Sequence, residues 1–236
     1  MDIESTFIDI GGQFITDHSL ITRKLSGIKA FIFDWDGVFN NGQKNLDGSS
    51  GFSEVDSMGT NLLRFSHFQK NGKMPLTAVI SGEKNETAFY FCKRECFDYS
   101  FFKTPHKIEA LKFICDKENI KPSEVAYFFD DVLDLSIAEV CGLRMMVNRK
   151  SNPLLIDYCV KNKLVDYLTA SDGGSHAVRE ASELLVGLYG NFDTTVHNRT
   201  HYTETYNAYI TKRRLLKPQF FTIKDKVVVA VDASTI

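Results

Sequence analysis

Residues 29–38 of this chain read KAFIFDWDGV, and this stretch decides the fold. Its first six residues form a mostly apolar run, which is typical of a strand buried on both faces. Asp34 and Asp36 stand at the end of that strand, and Gly37 allows the chain to turn there at low steric cost. Taken alone, the two aspartates have two interpretations. They are either carboxylates that point into one cleft, or a capping aspartate followed by a turn aspartate.

Three more short apolar runs are predicted to be strands, at residues 77–81, 125–129 and 143–147. Helical patterns alternate with the strands, at residues 59–69, 83–95, 106–119 and 133–140. This alternation predicts an α/β fold in which a parallel sheet is covered by helices on both faces. Ligands of such sheets bind at the carboxyl ends of the strands.

The alternating pattern covers residues 28–190, which we predict to be one domain. Residues 1–27 are predicted to be an N-terminal extension of weak strand character. Residues 191–236 form a C-terminal extension that ends in a strand-like run at residues 226–231. The sequence indicates no role for either extension.

The bulk composition argues against several function classes. The 236 residues carry a formal net charge of −2, without the basic surplus expected of a nucleic-acid-binding protein. The longest apolar runs are too short to cross a bilayer, and the acids among the first 25 residues are unlike a signal peptide. Five scattered cysteines fit a reducing compartment, so we expect a cytoplasmic protein without a membrane or nucleic-acid partner.

Two smaller patterns have plain interpretations. Cys92 and Cys96 lie in an amphipathic segment with no second cysteine pair and no nearby histidine, so we predict that they are core thiols and not zinc ligands. The basic run at residues 212–214 is predicted to be a solvated patch near a helix end.

A second group of acids follows the strand at residues 125–129, namely Asp130, Asp131 and Asp134. Clustered carboxylates repel one another at neutral pH unless a cation offsets their charge. Oxygen ligands without a cysteine or histidine favour magnesium over zinc. Acids at a helix N-terminus would explain this group alone, but not a second acidic pair at the same edge. The sequence therefore predicts a Mg²⁺ site.

Phosphate-binding groups are predicted at the same edge. Ser81 and Gly82 follow the second strand and precede a helix, whose first amides can receive phosphate oxygens. Lys107, at the start of the next helix, is a candidate cation for the phosphate and the carboxylates. Each also has a plainer interpretation: a turn for Ser81 and Gly82, and a solvated side chain for Lys107.

Together these motifs resemble the haloacid dehalogenase superfamily of phosphohydrolases. The resemblance rests on Asp34-x-Asp36-Gly-Val, Ile80-Ser81-Gly82, Lys107 and Asp130-Asp131-x-x-Asp134, in that order. Three further stretches are similar to its small-cap (C0) branch: Asp56-Ser-Met-Gly59, Ser81-Gly-Glu-Lys84 and Gly173-Gly-Ser-His-Ala-Val-Arg-Glu180. That branch contains the phosphatases of 3-deoxy-octulosonate 8-phosphate and of nine-carbon sugar-acid 9-phosphates. The resemblance implies a Rossmann-like sheet, a small β-hairpin flap over residues 38–52 in place of a cap domain, and a homotetramer.

The resemblance also implies roles for individual residues. Asp34 would be the nucleophile that forms an aspartyl-phosphate, and Asp36 the general acid and base. Asp34, the backbone carbonyl of Asp36, and Asp130 would hold Mg²⁺. The remaining candidates are the phosphate-binding residues Ser81, Gly82 and Lys107, and the supporting residues Asp131 and Asp134.

Substrate specificity is assigned to Glu83, Arg94 and Arg179 by the same resemblance. Glu83 stands where octulosonate phosphatases tend to carry arginine, which favours a nine-carbon sugar acid. Arg179 is a candidate for binding a substrate carboxylate across a subunit interface. Its plainer interpretation is an ion pair with Glu180 or Glu183, and that of Arg94 is a solvated helix face.

The sequence departs from the family pattern in several places. Phe129 replaces a usual glycine and is expected to crowd the metal-binding loop, Trp35 is bulkier than the usual residue, and Ser175 and His176 replace small residues. Phe129 and the C-terminal extension keep open an alternative function, a catalytically weak partner or regulatory subunit in a sugar-nucleotide (cytidylyltransferase) pathway. A further alternative is a phosphatase of the same mechanism that acts on an unrelated small phosphate.

Overall fold

The computed structural model of the chain describes residues 2–232 and residue 234. This part of the chain contains nine strands, which form one sheet in the order β1-β7-β6-β5-β2-β3-β4-β8-β9. The strands are β1 (Gln13–Phe14), β2 (Ala30–Phe33), β3 (Leu76–Ile80), β4 (Tyr99–Phe102), β5 (Val125–Phe129), β6 (Leu143–Met146), β7 (Tyr167–Leu168), β8 (Gln219–Lys224) and β9 (Val227–Val231).

Strands β2 to β8 run parallel, and the outer strands β1 and β9 are antiparallel to their neighbours. The predicted α/β fold is therefore confirmed. In the register of the central strands, Phe33 of β2 lies beside Val79 of β3 and Phe128 of β5. The residues that follow these three strands consequently reach the same edge of the sheet.

Ten α-helices surround the sheet in the described part of the chain. They are α1 (Ile3–Asp9), α2 (His18–Leu25), α3 (Glu54–Asn71), α4 (Glu86–Glu95), α5 (Ile108–Glu118), α6 (Leu135–Ala138), α7 (Pro153–Lys161), α8 (Ala177–Tyr189), α9 (Phe192–Thr200) and α10 (Glu204–Leu215). The helix predicted from residue 83 begins only at α4, because the Asn85 side chain accepts the amides of Thr87 and Ala88 and caps it.

Two apolar clusters form the core, one on each face of the sheet. On one face, Phe33 packs with side chains of α3 and α8 such as Leu63 and Leu184. On the other face, Tyr127 packs with Leu111 of α5 and Cys159 of α7. Burial of each large apolar side chain contributes about 1.5–3 kcal/mol, so both helical layers hold the sheet edge in place.

The N-terminal segment has the predicted strand character only at β1, which pairs with β7. The rest of the segment is helical, so that prediction was wrong. Asp2 accepts the amide of Ser5, and Asp17 accepts the amide of Ser19. These side chains cap α1 and α2, and local capping outweighs the weak strand pattern.

The β-hairpin expected over residues 38–52 is not formed, since this segment consists of turns and bends. Polar side chains hold it instead of a strand ladder. The Asn40 side-chain amide donates to the Gly51 carbonyl and to the Ser50 hydroxyl, both at 3.2 Å. Side-chain hydrogen bonds of this kind compete with strand pairing, which explains why the hairpin prediction failed. We call residues 38–52 the flap.

The C-terminal segment adds two helices and two strands to the same body. Strand β9 confirms the strand predicted near residues 226–231, and β8 joins the sheet beside β4. Tyr206 and Tyr209 of α10 pack against Phe65 of α3. None of the helices in the described ranges is both long enough and apolar enough to cross a membrane.

Candidate active site

Three carboxylates meet at the carboxyl edge of the sheet. Asp34 follows β2, Asp130 follows the adjacent β5, and Asp134 closes a short 3-10 turn after Asp130. One carboxylate oxygen from each residue lies within 4.8 Å of the other two. All three side chains are buried, with exposed fractions of 5%, 2% and 0%. The parallel register of β2 and β5 is what brings the first two together.

Two cations balance part of this charge. The Lys107 ammonium lies 2.5 Å from Asp34 Oδ1 and 2.6 Å from Asp134 Oδ1, and it is itself buried. The Arg149 guanidinium donates to Asp130 Oδ2 at 2.5 Å. Three carboxylates against two cations leave the cluster with a formal charge of −1. The cluster therefore still has an electrostatic demand for a cation.

Burial and the repulsion between neighbouring carboxylates raise the pKa values of two of these acids. Burial raises the pKa of Asp34 well above its ordinary value, and the charge of Asp134 raises it further, against the opposing effect of Lys107. Burial also raises the pKa of Asp130 to about 7, again with help from Asp134. Burial lowers the pKa of Lys107, but the Asp34 and Asp134 charges outweigh it and hold that pKa above its ordinary value.

One oxygen of the cluster lacks a hydrogen bond. Asp130 Oδ1 is buried and has no partner among the described residues, although buried carboxylate oxygens are normally satisfied. The cluster offers only oxygen donors, which is the ligand chemistry of Mg²⁺. The residues present therefore fit the magnesium ion predicted from the sequence.

Asp36 lies next to the cluster and is held by the flap. Its carboxylate accepts a hydrogen bond from Ser50 Oγ at 2.5 Å and forms an ion pair with Lys44. The Ser50 hydroxyl in turn accepts from Asn85 Nδ2 at 2.5 Å and from Trp35 Nε1 at 3.2 Å. Lys44, Ser50 and Asn85 were not among the predicted site residues, although the polar composition of the flap was a signal for the contacts of Lys44 and Ser50.

Ser81 follows β3 at the same edge and is buried. Its hydroxyl accepts a hydrogen bond from the Glu83 amide at 3.3 Å. This contact belongs to a turn, which was the plainer interpretation of Ser81. Gly82 is half-buried and Glu83 is exposed. The structure thus places Ser81 at the same edge of the sheet as the three carboxylates, while its phosphate-binding role stays a prediction.

Asp131 and Asp134 take different positions. Asp131 is exposed, and its carboxylate accepts the amide of Val132 and caps the 3-10 turn. Asp134 is fully buried and accepts from Lys107 Nζ, from the Tyr127 hydroxyl at 2.5 Å and from the Asp131 amide at 3.1 Å. Asp134 therefore belongs to the acidic cluster itself rather than to its support.

The candidate specificity residues are not gathered at the cluster. Arg179 Nε donates to Glu183 Oε2 at 2.7 Å, the surface ion pair considered as its alternative. The Arg94 guanidinium donates hydrogen bonds to Glu95 and Ser57, both at 2.8 Å. These contacts hold it against α3 and α4 and away from the acidic cluster. Their contacts do not support the substrate roles that the resemblance implied.

The unusual residues of the sequence are accommodated in the core. The Phe129 ring is fully buried and stacks on Tyr127, with 5.7 Å between the ring centroids, in the apolar cluster on one face of the sheet. The Trp35 ring is also fully buried and stacks on Phe39 at 4.9 Å. Neither residue displaces a carboxylate.

A cavity of about 290 Å³ opens beside Asp130. It is lined by Asn41, Arg149, Lys150, Ser151, Asp172 and Gly173. Arg149 and Lys150 lie in the loop after β6, the strand predicted at residues 143–147. Neither residue was among the predicted site residues, although both follow the carboxyl end of a predicted strand.

Gly173 packs directly on the loop that carries Asp36. A Cβ atom at this position would lie 2.1 Å from the Gly37 carbonyl oxygen and 2.3 Å from that of Asn40. Both contacts are with backbone, so Gly173→Ala must displace the loop, and we expect a loss of about 1–3 kcal/mol in the free energy of unfolding together with reduced activity. Urea denaturation and phosphatase assays measure the two effects.

The matched control for this variant is Gly51→Ala in the flap, where an added Cβ meets nothing within 4 Å. We expect this control to change neither stability nor activity. Equal behaviour of the two variants would show that the contact between Gly173 and the loop is unimportant.

Asp56 gives a prediction for the pH dependence of stability. It is fully buried on α3, where its Oδ1 accepts the Arg179 amide at 2.8 Å. Burial raises its pKa from 3.8 to about 6, although the Arg179 amide opposes the shift. Between about pH 4 and pH 6 the folded state therefore binds more protons than the unfolded state. The free energy of unfolding should fall by up to about 3 kcal/mol as the pH rises through this window.

Asp56→Asn should remove this contribution, because the amide keeps the acceptor for Arg179 and cannot ionise. Urea denaturation between pH 4 and pH 8 should show a flatter profile for Asp56→Asn than for the wild type, and higher stability above pH 6. Asp193→Asn, at an exposed aspartate of α9, serves as the control and should leave the profile unchanged. Identical profiles for the wild type and Asp56→Asn would contradict the prediction.

Comparison with known proteins reveals relatives along most of the chain. The 3-deoxy-D-manno-octulosonate 8-phosphate phosphatase of Escherichia coli strain K12 is 28% identical over 177 residues, covering 73% of this chain and 87% of that protein. The Haemophilus influenzae protein of the same name is 29% identical over 183 residues, covering 73% and 92%. No family model matches the chain.

A solved structure shows the same likeness. The 3-deoxy-D-manno-octulosonate 8-phosphate phosphatase of Moraxella catarrhalis, in complex with a magnesium ion, a phosphate ion and KDO, has a TM-score of 0.62 at 26% identity. The match covers 75% of this chain and 97% of that one. In its fold and in its sequence along most of its length, the chain is similar to phosphatases, in agreement with the resemblance of its motifs to the haloacid dehalogenase superfamily. In particular, the chain is similar to the 3-deoxy-D-manno-octulosonate 8-phosphate phosphatases.

Proposed function

We propose that the chain hydrolyses the phosphomonoester of a 2-keto-3-deoxy sugar acid, with Mg²⁺ as cofactor and an aspartyl-phosphate intermediate on Asp34. The observation that carries the proposal is the cluster of Asp34, Asp130 and Asp134 around the buried Lys107. Such a cluster combines a nucleophile, a cation site and a positive charge at one sheet edge.

The magnesium ion would be held by Asp34, Asp130 and the backbone carbonyl of Asp36, and when bound it offsets the negative charge of the nucleophile and of the phosphate. The Asp34 carboxylate attacks phosphorus, and the bond between phosphorus and the sugar oxygen breaks. Asp36 gives its proton to the departing alkoxide. Lys107 and Ser81 stabilise the charge on the phosphoryl oxygens.

The second half of the reaction uses the same groups. Asp36, now ionised, takes a proton from a water molecule, whose oxygen attacks phosphorus. The bond between phosphorus and Asp34 breaks, which releases inorganic phosphate and restores the carboxylate. The contacts of Asp36 with Ser50 and Lys44 suit this role, because they hold its carboxylate in place beside the cluster.

The cavity beside Asp130 supports a sugar acid as the substrate. Arg149 and Lys150 on its wall can bind a carboxylate, and arginine does so with two parallel hydrogen bonds. The similar proteins are phosphatases of an eight-carbon sugar acid, octulosonate 8-phosphate. Glu83, which stands where octulosonate phosphatases tend to carry arginine, favours a nine-carbon 9-phosphate. The test therefore includes both the eight-carbon and the nine-carbon substrate.

A kinetic panel tests the proposal. Rates should be measured on octulosonate 8-phosphate, on a nine-carbon sugar-acid 9-phosphate and on p-nitrophenyl phosphate, with Mg²⁺ and with EDTA. We expect at least one sugar-acid phosphate to be hydrolysed with the highest kcat/KM and the activity to vanish in EDTA. Absence of turnover on all three substrates with Mg²⁺ would refute the proposal. The solution mass measured in parallel tests the expected homotetramer.

Arg149 offers a sharper test of the sugar-acid substrate. Arg149→Gln should lower kcat/KM for the sugar-acid phosphate by about tenfold or more, because a charged hydrogen bond to the carboxylate is lost. The loss on p-nitrophenyl phosphate, which has no carboxylate, should be smaller. Arg23→Gln, at an exposed arginine of α2, is the control. Equal losses on both substrates would assign Arg149 to the acidic cluster alone.

The alternative function, a catalytically weak regulatory partner, is not favoured. A catalytically inactive protein would not require the buried contacts of Lys107 with Asp34 and Asp134. Phe129, which had kept this alternative open, is packed in the core.

A further inference from the structure

A second cavity lies between the end of α4 and the two helices α9 and α10. Its volume is about 340 Å³, within the range of small-molecule sites. It is lined by Arg94, Cys96, Arg199, Tyr202, Tyr206, Ile210, Arg213 and Arg214. None of these residues contributes to the acidic cluster or to the cavity beside Asp130. We call this second cavity the arginine pocket.

Two of its arginines are fixed by one buried acid. Glu95 is 4% exposed, and its Oε1 accepts from Arg94 Nε at 2.8 Å. Its Oε2 accepts from Arg213 Nη2 at 2.6 Å. The basic run at residues 212–214 does lie in the last turn of α10, as predicted, but Arg213 is tied to Glu95 and is not simply solvated. Glu95 therefore holds two guanidinium groups in position at the pocket wall before any ligand arrives.

The other two arginines have no acidic partner. The Arg199 guanidinium lies over the rings of Tyr202 and Tyr206, at 5.1 and 4.8 Å from their centroids. Within the described ranges, the side chains of Arg199 and Arg214 form no salt bridge and no hydrogen bond. Stacking on aromatic rings orients Arg199 without neutralising it. The arginine pocket thus has a positive charge that the protein itself does not balance.

We propose that the arginine pocket binds a small anion that carries two linked phosphate groups. Guanidinium groups match phosphate oxygens with paired hydrogen bonds, and several of them around one cavity suit more than one phosphate. The cavity has room for a compact diphosphate, and the net charge of −2 is unlike a nucleic-acid-binding protein. This proposal does not depend on the proposed phosphatase function.

The test uses inorganic pyrophosphate and the full chain in EDTA. Calorimetric titration compares the wild type with the double variant Arg199→Gln/Arg214→Gln, which leaves the two arginines bound to Glu95 untouched. We expect the wild type to show one saturable site that the double variant binds about tenfold more weakly or not at all. The control Arg23→Gln removes an arginine on α2 and should bind like the wild type. Circular dichroism melts establish that all variants are folded.

Cys96 reports on the same pocket independently of the acidic cluster. It lines the cavity and is partly exposed, whereas Cys92, Cys115, Cys141 and Cys159 are buried. The prediction of a core thiol was thus right for Cys92 and wrong for Cys96, because Cys96 ends α4 at the rim of the pocket. Pyrophosphate should slow the alkylation of Cys96 by iodoacetamide in the wild type and not in the double variant.

Three outcomes would overturn the proposal. One is equal pyrophosphate affinity for the wild type and the double variant. Another is an equal loss of affinity in Arg23→Gln, which would indicate general surface attraction. The third is unchanged alkylation of Cys96 at a saturating pyrophosphate concentration, which would place the bound anion elsewhere, such as at the acidic cluster.

Discussion

Asp34→Asn is expected to abolish phosphatase activity, with a loss of about a thousandfold or more in kcat. The amide is nearly the same size as the carboxylate but cannot attack phosphorus to form an acyl phosphate. Steady-state rates on the best substrate of the kinetic panel measure the effect. Mass spectrometry of a rapidly quenched reaction should detect a phosphorylated wild-type chain and no phosphorylated variant.

The same variant separates a chemical defect from a folding defect. Because burial and Asp134 raise the pKa of Asp34, the ionised carboxylate is unfavourable in the metal-free protein. Asp34→Asn removes that charge, so its stability to urea in EDTA at neutral pH should be equal to or above that of the wild type. The exposed Asp157→Asn, on α7, is the control for both assays and should behave like the wild type. Activity retained by Asp34→Asn would show that the nucleophile is assigned to the wrong residue.

Lys107→Met is expected to damage both stability and catalysis. The Lys107 ammonium is buried between Asp34 and Asp134, at 2.5 and 2.6 Å. Its removal leaves two buried carboxylates without their shared cation, and breaking a buried ion pair in this way costs about 3 kcal/mol or more. The phosphoryl group also loses a positive charge, so kcat should fall about a hundredfold or more. Urea denaturation and steady-state kinetics measure the two losses.

Lys112→Met provides the matched control on the same helix. Its ammonium is exposed and pairs with Glu109 at 3.2 Å, an arrangement that contributes little to stability. We expect near wild-type stability and activity for this variant. High Mg²⁺ should restore part of the stability of Lys107→Met, because the metal replaces some of the missing positive charge. Unchanged stability of Lys107→Met in EDTA would contradict the electrostatic role given to Lys107.

The central strands could be predicted from sequence because burial on both faces selects long apolar runs. The run at residues 125–129 coincides with β5, and the other three predicted strands end within one residue of β2, β3 and β6. The N-terminal helices and the flap were mispredicted for a different reason. Their conformations depend on side-chain hydrogen bonds, such as the Asp2 cap and the Asn40 contacts, which leave no periodic pattern.

The positions of Asp34 and Asp130 at one edge could likewise be predicted, since parallel strands end together. Their partners could not. Arg149, Ser50 and Lys44 come from loops, where neither spacing nor periodicity indicates which way a side chain points. Arg94 was predicted to lie near a substrate because it shares a predicted helix with Glu83, yet its ion pairs with Glu95 and Glu54 hold it at another cavity.

The sequence by itself determined the parallel sheet, the acidic edge and the class of chemistry, because local apolar runs and the residues that follow them suffice for all three. Only the tertiary structure decided which charged side chains contact one another. It placed Asp134 in the cluster with Lys107, brought Arg149 to Asp130, and assembled the arginine pocket from segments about a hundred residues apart. Such contacts form only when helices and strands that are distant in the sequence pack together. That packing depends on the whole core and not on any short segment of the sequence.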